Sequence, residues 1–222
     1  MQNEGISIYD VTPYVKEDRS LEIKAYLESN TNITDFVIID DELFCTEVFA
    51  MNYVVVDLEW NQAMSSKSSV FNKLPIHLGG EIIEIGAVKL KEDMTPGEEF
   101  TIDVKPVYFR RMHYKVKKIT GFDKERLAHG IAFADALEQF RAWCGDGVTF
   151  ITWGNDDQRI MEQNIIIHDL DWDWIGGWIN LQLIYNLQTG GDKNQKSLAS
   201  AMEHFEIEQT RVAHDALGDA YN

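Results

Sequence analysis

The sequence predicts an α/β domain built on a mixed sheet, and three observations carry that prediction. Two β-rich apolar runs, residues 53–58 and 82–90, and an alternating one, residues 99–106, follow each other without an intervening helical period, as in a meander. From residue 133 onward helical and strand-like periods alternate, the pattern of an α/β layer. The 222 residues are 45% hydrophobic and 11% aromatic, enough for one sizeable core beside a small appendage.

Each later element has its own signal. Phe133, Leu137, Phe140 and Trp143 recur at helical spacing, and Gly145 and Gly147 supply the chemistry that stops a helix. "VTFITWG", residues 148–154, reads as a buried strand. Residues 157–164 resume a helical period behind Asn155 or Asp156, either of which can cap it. In the connection that follows, Trp172, Trp174 and Trp178 are read as packing residues. "WINLQLIYNLQ" is then read as helical, and Ser197 is the expected N-cap of a helix in "SLASAMEHFEIE".

The N-terminal part differs in composition. Residues 1–50 hold 11 Asp or Glu against 3 Lys or Arg, a net −8 out of −17 for the whole chain. "SLEIKAYLES" has helical spacing and "FVIIDDELF" reads as a short strand, but a lone helix and strand bury little. The expected organisation is an acidic appendage over residues 1–50 and one main domain over residues 51–222.

Charge and cysteines exclude several function classes. A net −17 argues against a general electrostatic grip on nucleic acid or anionic lipid, so any nucleic-acid site must rely on a local basic patch or on bound cations. Cys45 and Cys144 are far apart and lack a paired-ligand spacing, which argues against a disulfide framework and a thiolate zinc site. No targeting segment or spanning apolar run is present, so a cytoplasmic protein without a membrane partner is expected.

The chemistry gathers in acidic residues at strand ends. Asp57 and Glu59 follow the apolar run "YVVV" and share one face of an extended chain by alternation. An unpartnered buried carboxylate costs on the order of several kcal/mol, and a second beside it adds repulsion. A hard divalent cation removes both penalties. A second place is "TWGNDDQRI", where a strand ends and Asp157, or Asp156 beside it, opens a helix; sites of open α/β sheets lie outside such strand ends. The third is "RVAHDALGDAYN", whose spacing puts His214 just before a helix and Asp219 within its second turn. Taken singly, the three fit a solvated strand end, a helix cap and surface polarity.

Taken together and in this order, "DLE", "WGNDD" and "HDALGDA" resemble the DEDDh 3′-to-5′ exonucleases of the ribonuclease H-like superfamily. "EIIEIGAVKL" is similar to that family's second strand, "KKITGF" to its Leu-Thr-Gly loop, and "SLASAMEHFEIE" to the helix before the last motif. The resemblance covers residues 51–222 and is strongest to the branch of histone-messenger and small-RNA 3′ exonucleases and the bacterial sporulation-associated homologue. It implies a ribonuclease H-like mixed sheet of about five strands flanked by helices. The chain departs from the family pattern in having Asp156 beside Asp157, and in stopping three residues past Asp219, where the family helix generally continues. The domain is therefore expected to lack the end of its last helix, and so short a helix to fray.

The resemblance also implies a mechanism. Two divalent ions, Mg²⁺ or Mn²⁺, would be held by Asp57, Glu59, Asp157 and Asp219, with His214 as the base that takes a proton from the attacking water. The substrate would be the 3′ end of single-stranded nucleic acid, RNA in preference to DNA, released as nucleoside 5′-monophosphates. Ile119, Thr120 and Gly121 would lie beside the terminal nucleotide, with Leu58 and Trp60 against its base or sugar. Between Asp103 and Asp123 there are six Lys or Arg and no acid; with Lys117 and Lys118, this run is a candidate track for the strand. Two other readings stand beside it: a proofreading-type DNA exonuclease, and a non-catalytic nucleic-acid-binding or regulatory module.

Overall fold

The computed structural model describes residues 52–189 and 195–222. The helix and strand read within residues 1–50 lie outside the described residues. Five strands form one mixed sheet: β1 (Tyr53–Asn61), β2 (Glu81–Leu90), β3 (Pro96–Asp103), β4 (Val148–Thr152) and β5 (Ile175–Asn180), in the order β3-β2-β1-β4-β5. β1, β2 and β3 pair antiparallel, whereas β4 is parallel to both β1 and β5. β1 is therefore the central strand.

Alternation along β1 separates two environments. Val54, Val56 and Leu58 enter the main core, where they meet Phe140 of α3 (Phe133–Cys144), Phe150 of β4 and Ile160 of α4 (Asp156–Ile167). Val55, Asp57 and Glu59 project to the other side. A smaller cluster of Ile83, Val116, Phe122 and Leu127 seats two short helices, α1 (Tyr114–Thr120) and α2 (Lys124–His129). Two more helices, α5 (Leu181–Gln188) and α6 (Leu198–His204), precede the last, α7 (Ala216–Tyr221). The Ser197 hydroxyl accepts from the Ser200 N–H, as expected for the cap of α6.

Two boundaries differ from the sequence reading. The stretch "WINLQLIYNLQ" is not helical throughout: Trp178–Asn180 completes β5, and α5 starts only at Leu181 behind an Asn180 side chain that accepts from the Leu183 N–H. The Gly176–Gly177 pair hides the strand, because it removes the β-branched signature; Gly176 is required because a Cβ there would lie 2.8 Å from the Gly147 carbonyl oxygen. The third strand ends at Asp103 rather than Pro106: the Val104 N–H still donates to the Ile83 carbonyl, but Val104 and Lys105 then turn to Ile131, and Pro106 has no N–H to donate.

The last helix is short, yet it is tied down along its length. It lies across β1, β2 and β3. Gly86 makes that approach possible: a Cβ there would stand 2.1 Å from the Ala216 carbonyl carbon and 2.1 Å from the Leu217 nitrogen. Asp215 caps the first turn by accepting from the Gly218 N–H. At the other end, the Asn222 side-chain oxygen accepts from the Thr210 and Arg211 N–H groups. Arg211 makes a two-pronged pair with Glu99 and lays its guanidinium 3.6 Å from the Tyr221 ring centroid. Fraying expected from length alone is thus opposed by tertiary contacts at both ends.

Gly86→Ala is expected to push α7 off the sheet and to cost about 1–3 kcal/mol of stability in urea denaturation. An unchanged midpoint would show that the close approach is not needed.

Candidate active site

The site is built where β1, α4 and α7 meet. Asp57 and Glu59 point to the side of the sheet away from the main core, and across the ladder they face Gly86 and Glu84. Asp157, the second residue of α4, is 6% exposed, and its Oδ1 accepts from the Leu58 N–H at 3.0 Å. Asp156 is exposed and paired with Arg159 at 2.8 Å. One helical step of about 100° turns one carboxylate into the site and its neighbour into solvent. Of the two candidates, Asp157 is the residue that the fold brings beside Asp57.

α7 delivers the remaining groups. Asp215 is its cap, so Asp219 stands in the first turn rather than the second. His214, just ahead of the cap, has φ of 63° and is exposed. This left-handed conformation costs a non-glycine residue about 1–2 kcal/mol; in it, the His214 N–H donates to Asp219 Oδ2 at 2.9 Å. The bond orients the carboxylate and fixes the loop. Ligand atoms of Glu59, His214 and Asp219 all lie within 4.8 Å of one another.

Charge crowding shows in the acidities. Burial first, and then the neighbouring Asp157, Glu59, Asp219 and Glu84, push the Asp57 carboxyl well above its ordinary range. Glu59 is raised to about 8 by burial, then by Glu84, Asp219 and Asp157. Asp157 is raised to about 6, chiefly by burial, with the Leu58 N–H working in the opposite direction. Carboxyl groups held together in this way are a hard-oxygen donor set that a divalent cation would satisfy.

A family model described as Exonuclease matches residues 37–222. The chain belongs to the exonuclease family. The match begins inside the segment read as an appendage. A Bacillus subtilis (strain 168) protein named probable 3′-5′ exonuclease KapD is 28% identical over 168 residues, 75% of this chain and 78% of that one. Among solved structures, the nuclease domain of 3′hExo, a DEDDh family member bound to rAMP, is 18% identical with a TM-score of 0.64, over 76% of this chain and 86% of that one. Cell-death related nuclease 4 (CRN-4) gives 19% and 0.62, with 76% of this chain matched to 60% of its own. Exonuclease I from E. coli in complex with a dT13 oligonucleotide gives 17% and 0.56, over 77% of this chain and 39% of that one. The five-stranded mixed sheet is the fold of these nucleases. The chain is an exonuclease, and it is similar to a probable 3′-5′ exonuclease and to a DEDDh family member.

Sequence reasoning missed several residues on which the exonuclease site rests. Glu84 is almost wholly buried opposite Glu59; its Oε2 accepts from the Ala216 N–H at 3.3 Å and its Oε1 from Arg126 at 2.6 Å. Arg126 also grips Asp103 through two bonds and stacks 3.6 Å from the Phe122 ring centroid. Burial pushes the Glu84 carboxyl up, while Arg126 and the Ala216 N–H pull it down. This network holds the start of α7 to β2. The signal was present: a carboxylate inside the apolar run "EIIEIGAV" calls for a partner as much as Asp57 does.

The candidate substrate residues divide. Leu58 is a correction: its side chain is 2% exposed in the main core, because alternation turns it away from Asp57 and Glu59, and its contribution to the site is the backbone N–H. Trp60 is half-buried and packs on the same core, with its indole over Gly80, where a Cβ would lie 2.1 Å from the ring. Ile119 is 53% exposed on α1, and Lys117 and Lys118 are exposed beside it. Thr120 bonds Val116 and Phe122, and Gly121 ends the helix with φ of 71°. No hydrogen bond or ion pair joins these α1 residues to the acids among the described residues. A crevice of about 200 Å³, lined partly by Asp57, Asp219 and Trp153, opens beside the acids.

Asp57, Glu59 and Asp157 keep their protons to higher pH folded than unfolded. Their contribution to stability is therefore complete below the ordinary carboxyl range and is lost as pH rises towards about 8, the value for Glu59. In EDTA, the melting temperature should fall between about pH 5 and about pH 8, and Mn²⁺ should raise it more at the higher pH. A melting temperature independent of both pH and metal would contradict this arrangement.

Proposed function

We propose that the chain shortens single-stranded 3′ ends one nucleotide at a time, RNA in preference to DNA, with two Mg²⁺ or Mn²⁺ ions, releasing nucleoside 5′-monophosphates. The observation that carries this reading is the convergence of Glu59, His214 and Asp219 beside the half-buried Asp57 and the buried Asp157. Asp57, Glu59, Asp157 and Asp219 would hold the ions. When bound, the ions would polarise the scissile phosphate and acidify a water.

The chain's own residues do the rest. A ring nitrogen of His214 takes the proton from the attacking water as its oxygen bonds to phosphorus and the 3′-oxygen of the preceding nucleotide leaves. Exposure of His214 lets that proton pass on to solvent. The Leu58 N–H holds Asp157, and the His214 N–H holds Asp219, so both carboxylates are oriented before substrate arrives. The activity is assigned to a domain over residues 51–222, with residues 1–50 as an acidic appendage.

Support for RNA comes from the likeness to the 3′hExo domain bound to rAMP and to a 3′-exonuclease in a structure entitled 3′-end specific recognition of histone mRNA stem-loop. The proofreading-type reading draws on the same fold in Exonuclease I with dT13. Family membership and the assembled acids leave the non-catalytic reading without support.

With 5′-labelled RNA and DNA strands and Mn²⁺, the expected result is a stepwise ladder of shortened products, faster for RNA and abolished by EDTA. Faster DNA shortening would favour the proofreading-type reading, and no shortening of either would sink the proposal. His214→Ala should lower kcat about 10²–10⁴-fold with little change in KM. An unaltered kcat would remove His214 from its role as base.

A further inference from the structure

A larger cleft, of about 700 Å³, lies away from the acids, between residues 105–112 and the helices α1 and α2. Its walls carry Lys105, Arg110, Arg111, Lys117 and Lys124, over an apolar floor that includes Val107, Met112 and Leu127. In a chain of net charge −17 this is a reversal of sign. Asp123, the acid in the lining, has its Oδ1 engaged by the Glu125 and Arg126 N–H groups at the start of α2. Among the described residues none of the five cations is in an ion pair. Arg110 and Lys117 act at a distance on Glu81 and Asp123, and the cleft still carries five cations against one lining acid.

The cleft is built rather than incidental. The Glu81 carboxylate, 2% exposed, accepts from the backbone N–H groups of Val107, Tyr108 and Phe109. Asn61, at the end of β1, donates to the Phe109 and Arg111 carbonyls and accepts from the His113 N–H. These bonds pin the basic wall to the strands that carry Asp57, Glu59 and Glu84. α1 presents Lys117 to the cleft and ends at Thr120, and from α2 Arg126 reaches Glu84. The cleft and the acid site are therefore tied to the same strands, with separate linings.

We propose that this cleft binds the phosphodiester backbone of the single strand upstream of the 3′ terminus being cut. The proposal rests on the exonuclease reading above and adds a second contact to it. Lysines, arginines and an apolar floor suit phosphates and base faces, which are the same in every sequence, so the contact is sequence-independent. Because it lies apart from the acids, it engages only strands long enough to reach it. Affinity then increases with strand length, and the effect lies in KM.

The test uses the full chain carrying Lys105→Gln and Lys124→Gln together, two exposed side chains from two walls of the cleft. Kinetics are measured on RNA and DNA strands of four and of sixteen nucleotides. Strand binding is followed separately by fluorescence anisotropy across a salt series without metal. The expected result is a roughly tenfold rise in KM for both sixteen-nucleotide strands at moderate salt, with kcat and the four-nucleotide KM within about twofold. The slope of log affinity against log salt should fall by about 0.7 for each cation removed. Equal effects on short and long strands, or none on either, would overturn the proposal. So would displacement of the sixteen-nucleotide strand by polyglutamate at equal charge, which would mark the cleft as a seat for acidic peptide. Anisotropy reads the cleft even if no strand is shortened, so failure of the exonuclease reading and failure of this one remain distinguishable.

Discussion

Everything in the site follows from the cost of keeping Asp57 away from water. Its carboxyl sits on the central strand with Asp157, Glu59, Asp219 and Glu84 around it, and both desolvation and like charge oppose its ionisation. A fold that tolerates this has to hold each carboxylate against repulsion by specific bonds. Asp157 is held by the Leu58 N–H, Asp219 by the His214 N–H, and Glu84 by Arg126 and the Ala216 N–H. Each restraint comes from a different element, so the site exists only when β1, β2, α2, α4 and α7 are assembled together. The stored repulsion is then available to bind a cation, which converts an electrostatic liability into metal affinity.

Close backbone approach is the second condition. α7 can bring Asp219 and His214 to β1 only because Gly86 has no side chain, and a six-residue helix has little intrinsic stability to contribute. Its place is secured from outside by Arg211, Tyr221 and Asn222 at one end and by Glu84 at the other. The placement of His214 thus depends on residues at both ends of α7.

The surface is divided in a way that composition conceals. A single net charge of −17 averages a crowded acidic site and a basic cleft. The acids need cations before a phosphate can approach, whereas the cleft attracts phosphates directly. Glu81 and Asn61 link the two, fixing the basic segment to the sheet by backbone bonds rather than by charge. Among the described residues, the lysines and arginines that line the cleft make no close ion pair.

Much of this was legible in the order of residues. The runs behind β1, β2 and β4, the helical period of α3 and the cap of α6 are local signals, written in neighbouring side chains, and they appear where periodicity puts them. The three acidic motifs were legible only as a set, because each alone fits a strand end, a helix cap or a solvated surface, and their order together points to one site. Local signals failed where the cause is remote. β5 was hidden by two glycines, of which Gly176 is required by the facing backbone of Gly147, and Leu58 was placed at the substrate before the pleat turned it into the core. By itself the sequence determined which residues carry charge, where β1, β2, β4 and α3 lie, and that carboxylates gather at two strand ends and a helix start. Only the tertiary structure decided which of Asp156 and Asp157 enters the site, that Glu84 and Arg126 support it, and where the cations stand. Those outcomes depend on crossing elements and on the exclusion of water between them, and neither is a property of any short stretch of chain.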